Sequence, residues 1–155
     1  MANEKVKGCV IVKDLHYSVK DNTWIKTDGD IVTIGMTDIA QSLAGPILHA
    51  KTKSVGTARK KGRPIATVES GKWVGPVKSP VTGEIIEVNE SLVSDAQLIN
   101  RSPYKDGWVV KMKASNLDAE IAEMTTGDAA VSAYRDKIEQ EGFECSHLEG
   151  TDSYD

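Results

Sequence analysis

Three observations predict a β-rich α+β fold with short helices among the strands and further helices near the C-terminus. Through residue 112, short runs of β-branched residues alternate with Gly, Pro, Asp and Asn turns. Two of these runs flank Gly71-Lys72 closely enough to read as a hairpin. Beyond Met112 the apolar period lengthens from two toward 3.6. A chain of 155 residues fits one domain of ordinary size, long enough to bury a core.

Taken in order, Cys9 to Val12 and Trp24 to Lys26 are candidate strands, and Asp28-Gly29 is a turn into a strand from Ile31 to Gly35. Thr37-Asp38 opens a short helix with Thr37 as N-cap, because a threonine hydroxyl can accept a free amide of the first turn. The hairpin runs out along Gly62 to Val68 and back along Val74 to Ile86. Gly71 at its first central position suits a II′ turn. Lys72 at such a tip holds its amine in water. Asn89 to Leu98 reads as an irregular helical turn, and Gly107-Trp108 opens a final strand ending at Met112. Leu117, Ile121 and Met124 give an amphipathic segment from Asn116 to Met124. Asp128 is the expected cap of a second helix, with Val131, Tyr134 and Ile138 on its apolar face and its end near Gly142. After Phe143 the chain is polar and expected to fray. The chain divides into a core at 1–113, C-terminal helices packing on it at 114–142, and a flexible acidic tail at 143–155.

Hydrophobic content of 39% and charged content of 27% are those of a soluble globular protein. No apolar run approaches the roughly 20 residues that cross a bilayer. The first residues lack the apolar core of a secretory signal. That pattern predicts a cytoplasmic protein of prokaryotic type, or an organellar one shorn of its transit peptide. Cys9 and Cys145 make no disulfide framework and are expected to be reduced bystanders. His16, His49 and His147 lack the spacing of metal ligands, so no metal site is expected and each reads as an ordinary surface or strand histidine.

The net charge of −4 conceals an asymmetry. Residues 114–155 carry eleven acids and two bases, whereas the first 113 residues hold 17 bases and 12 acids. From Gly45 to Gly83 there are eight bases (Lys51, Lys53, Arg59, Lys60, Lys61, Arg63, Lys72, Lys78) and one acid, Glu69. This stretch is either a solvated face balanced by the acidic tail or a docking surface for acidic partners. Nucleic acid is not expected, since Trp73 alone interrupts the patch and no nucleic-acid motif is present.

Several ordered blocks resemble the lipoyl domains, and most closely the glycine cleavage system H-protein family. They are Tyr17 to Ile25, Ile34-Gly35-Met36-Thr37-Asp38-Ile39-Ala40-Gln41, then Leu43 and Gly45, and Val55-Gly56. The hairpin itself follows with Glu69-Ser70 and Lys72. Ser79 to Asn89 and Leu98-Ile99-Asn100 with Pro103-Tyr104 and Gly107 to Lys111 complete the series. The resemblance implies a lipoyl/biotinyl-type flattened β-barrel, a hybrid-barrel sandwich. It implies lipoic acid in amide linkage to Lys72, and a carrier that serves as substrate for partner enzymes without catalytic residues of its own. Glu69, Ser70, Gly71 and Trp73 then become the segment recognised by a lipoate–protein ligase or a partner, although Ser70 could equally serve the turn. Pro80 and Gly83 shape the return strand, and Trp108 and Tyr104 read as core or partner-contact residues. A biotinyl relative is disfavoured, because that family sets its lysine between methionines and this chain sets it between Gly71 and Trp73. A monomer is expected.

Departures from the family pattern bear on the pathway. The usual Val-Lys-Ala tip is here Gly71-Lys72-Trp73, and the usual His-Glu-Trp is Asn22-Thr23-Trp24. The acidic stretch before the hairpin is replaced by His49-Ala50-Lys51-Thr52-Lys53-Ser54. This pattern is similar to the H-protein-like lipoate-binding proteins of sulfur oxidation, which work with a heterodisulfide-reductase-like complex and carry sulfur intermediates and electrons. That reading is preferred on sequence. Glycine cleavage, with an aminomethyl cargo and the glycine cleavage enzymes as partners, is the runner-up. A non-lipoylated interaction module is the third.

Overall fold

The computed structural model describes residues 3–154. Met1, Ala2 and Asp155, on which the expectations about a signal and an acidic tail partly fall, lie outside the described residues. The strands are β1 (Glu4–Val6), β2 (Cys9–Ile11), β3 (His16–Ser18), β4 (Thr23–Asp28), β5 (Ile31–Met36), β6 (Ile47–Thr52), β7 (Ala58–Arg59), β8 (Pro64–Ser70), β9 (Val74–Lys78), β10 (Gly83–Val88), β11 (Val110–Ala114) and β12 (Thr125–Thr126). The helices are α1 (Asp38–Ala44), α2 (Ser91–Ser94), α3 (Leu98–Arg101), α4 (Leu117–Ile121) and α5 (Gly127–Glu141).

A seven-stranded sheet in the order β12-β3-β4-β5-β11-β10-β7 packs against a three-stranded sheet, β6-β8-β9. All the pairings are antiparallel. The main core lies between the two, built from Ile25, Val32, Ile34, Ile65, Val68, Val77, Ile85 and Met112. Burying these β-branched and aliphatic side chains from both faces is what drives the sandwich together. The flattened lipoyl-type architecture expected from the sequence is present, with the sheets stacked and not hydrogen-bonded into a closed barrel. The chain changes sheets at Ser79–Thr82, so the return strand expected from Val74 to Ile86 is two strands in two sheets.

A second core joins the N-terminal hairpin β1–β2 to α5 and the last residues. Tyr17 packs edge-on against Tyr134 at 5.5 Å, and Tyr104 against Tyr154 at 5.4 Å between ring centroids. Such T-shaped pairs match a ring's positive edge to its neighbour's negative face. Trp24 is buried, and its indole N–H donates to the carbonyls of Met36 and Pro103 at 3.0 and 2.9 Å.

Local signals held in some places and were overridden in others. Thr37 caps α1 by accepting the Ala40 amide, and α5 ends at Gly142 in a left-handed conformation. Asp128 is not the cap of α5. Thr126 holds that position, and Asp128 pairs from the first turn with Lys13 at 2.9 Å. The strand expected to open at Gly107 and end at Met112 begins at Val110 and runs to Ala114, and it is not the final one, since β12 follows it. The helix expected from Asn116 to Met124 is limited to Leu117–Ile121.

Two expectations near the termini are corrected. Cys9 and Cys145 form a disulfide across 136 residues, with Cα atoms 5.0 Å apart. They are therefore not reduced bystanders. The tail expected to fray after Phe143 is packed instead. The Cys145 amide donates to the Lys7 carbonyl at 2.9 Å, and Gln41 donates its side-chain amide to the Ser146 carbonyl at 2.9 Å. His147 meets both oxygens of buried Asp38 at 2.8 and 2.9 Å, so it is not an ordinary surface histidine. Tyr154 accepts the Tyr104 amide at 2.9 Å. A disulfide and buried aromatic surface hold a polar segment that its composition alone would leave loose.

Candidate functional site

Strands β8 and β9 are an antiparallel hairpin whose last pair is Glu69–Val74. The turn closes when the Ser70 amide donates to the Trp73 carbonyl at 2.8 Å, leaving Gly71 and Lys72 at the tip. Gly71 does not take a left-handed φ, so the turn is not of the II′ type. Ser70 supplies the alternative closure. Its buried hydroxyl donates to the Ala44 carbonyl at 2.5 Å and accepts the Lys72 amide at 3.3 Å. The tip is thus tied to the end of α1 instead of being held by glycine geometry.

Lys72 is exposed, as a tip position requires. Its side chain does not stand fully clear, however. It lies across Gly45, where an added Cβ would come within 3.0 Å of the Lys72 Cε. Gly45 has φ +80°, a conformation that excludes most other residues and leaves a cradle for the lysine stem. Buried Asn100 fixes that cradle by donating to the Gly45 carbonyl at 2.9 Å and to the Gln41 side chain at 3.1 Å, while accepting the Ile47 amide at 2.9 Å.

Beside the tip a cavity of about 200 Å³ is bounded by Met36, Ala40, Leu43, Ala44, Trp73 and Val77. Among its lining residues only Asp21 is charged. Trp73 is 38% exposed and lies against Gly75, where any Cβ would fall 2.2 Å from the indole. The tip therefore combines an exposed lysine, a glycine beneath its stem and a largely apolar cavity beside it. Among the lining residues Thr23 offers a hydroxyl, and that hydroxyl has no hydrogen-bond partner.

The five residues expected around the site sit together on the hairpin. Glu69 is exposed, Ser70 is buried and structural, and Gly71, Lys72 and Trp73 face outward. Sequence reasoning assigned no role to Gly45, Gln41 or Asn100. Each lies in a block that matches the family pattern, but only the fold shows them converging under one lysine stem.

The glycine cleavage H-protein family model matches residues 15–137. A glycine cleavage system H protein 2 of Aquifex aeolicus is 43% identical over 143 residues, which cover 92% of this chain and 89% of the relative. A probable glycine cleavage system H protein 2 of Sulfurisphaera tokodaii is 42% identical over 151 residues, covering 96% of this chain and all of the relative. Among solved structures, a glycine cleavage system H protein from Mycobacterium marinum aligns with a TM-score of 0.70 at 28% identity, covering 86% of this chain and 100% of that one. No helix among the described residues is long and apolar enough to cross a membrane.

Proposed function

Because the chain belongs to the glycine cleavage H-protein family, we propose that Lys72 carries its lipoic acid and that the protein presents this arm to partner enzymes in turn. The family consists of lipoyl carriers that bear lipoic acid covalently on a lysine and are not themselves catalysts. The observation that carries the assignment is the exposed Lys72 stem lying on Gly45 at a hairpin tip anchored through Ser70. When bound, lipoic acid supplies a dithiolane that opens to a dithiol and so takes up electrons or a sulfur-linked group. The protein's own part is positional. Ser70 and Asn100 hold the platform, Gly45 leaves room for the stem, and the cavity walled by Trp73 and Leu43 offers an apolar wall beside the tip.

Co-expression with a lipoate–protein ligase tests this directly. Intact mass should rise by one lipoyl group, and peptide fragmentation should place it on Lys72. Lys72→Arg keeps the charge but cannot form the amide, so that variant should fold normally and stay unmodified. Modification of another lysine would overturn the assignment. An unmodified wild type under the same conditions would favour the interaction-module reading.

The names of the relatives move glycine cleavage ahead of sulfur oxidation, which the sequence alone had favoured. On this reading the partners, besides the ligase, are glycine decarboxylase and aminomethyltransferase. One observation keeps the sulfur reading as second. The tip Gly71-Lys72-Trp73, Lys51 of β6 and Lys53 just beyond it leave a surface unlike the acidic one the family pattern leads one to expect. Glycine–bicarbonate exchange with those two enzymes separates the readings. Exchange comparable to that of an established H-protein supports glycine cleavage, and failure of a fully lipoylated protein supports a carrier for the heterodisulfide-reductase-like complex.

A further inference from the structure

The outer face of the three-stranded sheet alternates along β9 and the outer half of β8, and the alternation breaks in β6 at Leu48–His49. In β9, Val74, Pro76 and Lys78 are exposed while Gly75 and Val77 are buried. In β8, Thr67 and Glu69 are exposed between buried neighbours. Register then builds rows across the face. His49, Glu69 and Val74 lie next to the lysine tip, and Lys51, Thr67 and Pro76 come next. Lys78 opposite Pro64 forms the far row, with Lys53 and Arg63 flanking it in the adjoining loops. Cations therefore gather at the end of the hairpin away from Lys72, and apolar Leu48 (54% exposed) and Val74 (62% exposed) gather near it.

These cations are not neutralised from within. Lys61 pairs with Glu123, but Lys51, Lys53, Lys60, Arg63 and Lys78 have no carboxylate partner among the described residues. The acidic C-terminal segment does not fold over them, because its anchors are Lys7, Gln41, Asp38, Tyr104 and the disulfide. Glu69 is the one acid between Gly45 and Gly83.

From this arrangement we propose that the outer face of β6-β8-β9 is the docking face for a partner protein with a carboxylate-lined surface, which orients the Lys72 tip toward the partner's reaction centre. The proposal rests on the carrier reading and adds the chemistry of the partner. Along β8 the Lys51 row lies about 13 Å and the Lys78 row about 23 Å from the tip. An ordinary interface of about 800 Å² per partner is some 30 Å across and spans both. Pro76 sits on an edge strand and cannot donate to an added strand, so recognition here is by side chains and not by strand addition.

The test uses the full-length lipoylated chain and a poly-L-glutamate peptide as probe, with amide chemical shifts followed by NMR at low and physiological salt. Shifts should concentrate at residues 51–53, 60–63 and 76–78, and affinity should fall as salt screens the contacts. Reversing K51E, K53E and K78E together should weaken binding about tenfold or more. The triple variant K20E, K26E and K113E alters net charge equally on other surfaces and should leave binding nearly unchanged. Equal weakening by both variants would overturn the proposal, and so would duplex DNA binding more tightly than the peptide at the same salt. Intact mass separates the two failures. Failure of the unaltered, lipoylated chain to bind the peptide sinks only the docking face, whereas absence of the lipoyl mass from the unaltered chain sinks the carrier reading beneath it.

Discussion

Ser70 donates its hydroxyl to the backbone carbonyl of Ala44 at 2.5 Å and so ties the lysine turn to the last residue of α1. Ser70→Ala leaves that carbonyl without its donor and the Lys72 amide without its acceptor. The expected loss is about 1–2 kcal/mol, read from the urea midpoint. Lipoylation should slow through a higher KM for the protein, since the tip loses a fixed position. An unchanged midpoint and unchanged kinetics would show that the tether is dispensable.

Gly45→Ala tests the cradle from the other side. At φ +80° an alanine is strained, and its methyl would press on the Lys72 Cε from 3.0 Å. A loss of about 1–2 kcal/mol is expected from the backbone. Protein NMR should show altered shifts at Lys72 and Asn100 and little change in β3 or α5. Changes spread evenly over the whole chain would argue against a local cradle.

Reducing the Cys9–Cys145 disulfide should destabilise the fold by about 2–5 kcal/mol, because the link closes a long loop in the unfolded chain. Thermal melts with and without a phosphine reductant measure this. The Cys145→Ser variant should match the reduced protein and lose hydrogen-exchange protection at residues 144–152 before the hairpin loses any. Identical melting temperatures would show that the aromatic contacts of the tail suffice.

All four tyrosines are held protonated beyond the ordinary phenol value by burial. Tyr154 is pushed up to about 12, and Tyr17, Tyr104 and Tyr134 are raised by the same cause. The folded state therefore keeps protons that the unfolded chain releases near pH 10. Stability is fully present below that pH and falls as pH climbs through 10 toward 12 and beyond. Phenolate absorbance should lag behind a free-tyrosine titration and then rise together with unfolding. Tyr154→Phe should make the decline shallower. Tyrosines that ionise near pH 10 without loss of structure would contradict the burial seen here.

Short-range chemistry was legible and long-range pairing was not. Thr37 as a cap, Gly142 as a stop and the strands flanking Lys72 each announce themselves within a few residues. Strand β6 did not, because a register shift between Ile47 and His49 breaks its alternation and exposes Leu48 and His49 in succession. The II′ turn was expected from Gly71, yet the Ser70 hydroxyl closes the tip by another route. Asp128 was the expected cap, yet it lies in the first turn, where it pairs with Lys13, and Thr126 holds the cap position. No local spacing could announce a disulfide between cysteines 136 residues apart. Nor could composition show a polar tail anchored on Asp38 and Tyr104.

The Cys9–Cys145 bond closes the 136-residue stretch between them into a ring. Tension applied at the termini passes across the sulfur–sulfur bond and does not travel round the ring. Lys72 lies close to the opposite pole of that circuit. Tugging or fraying at either end, including by a protease that feeds from a terminus, is stopped at the clasp before it reaches the hairpin. The working tip is mechanically shielded by the point on the chain most remote from it.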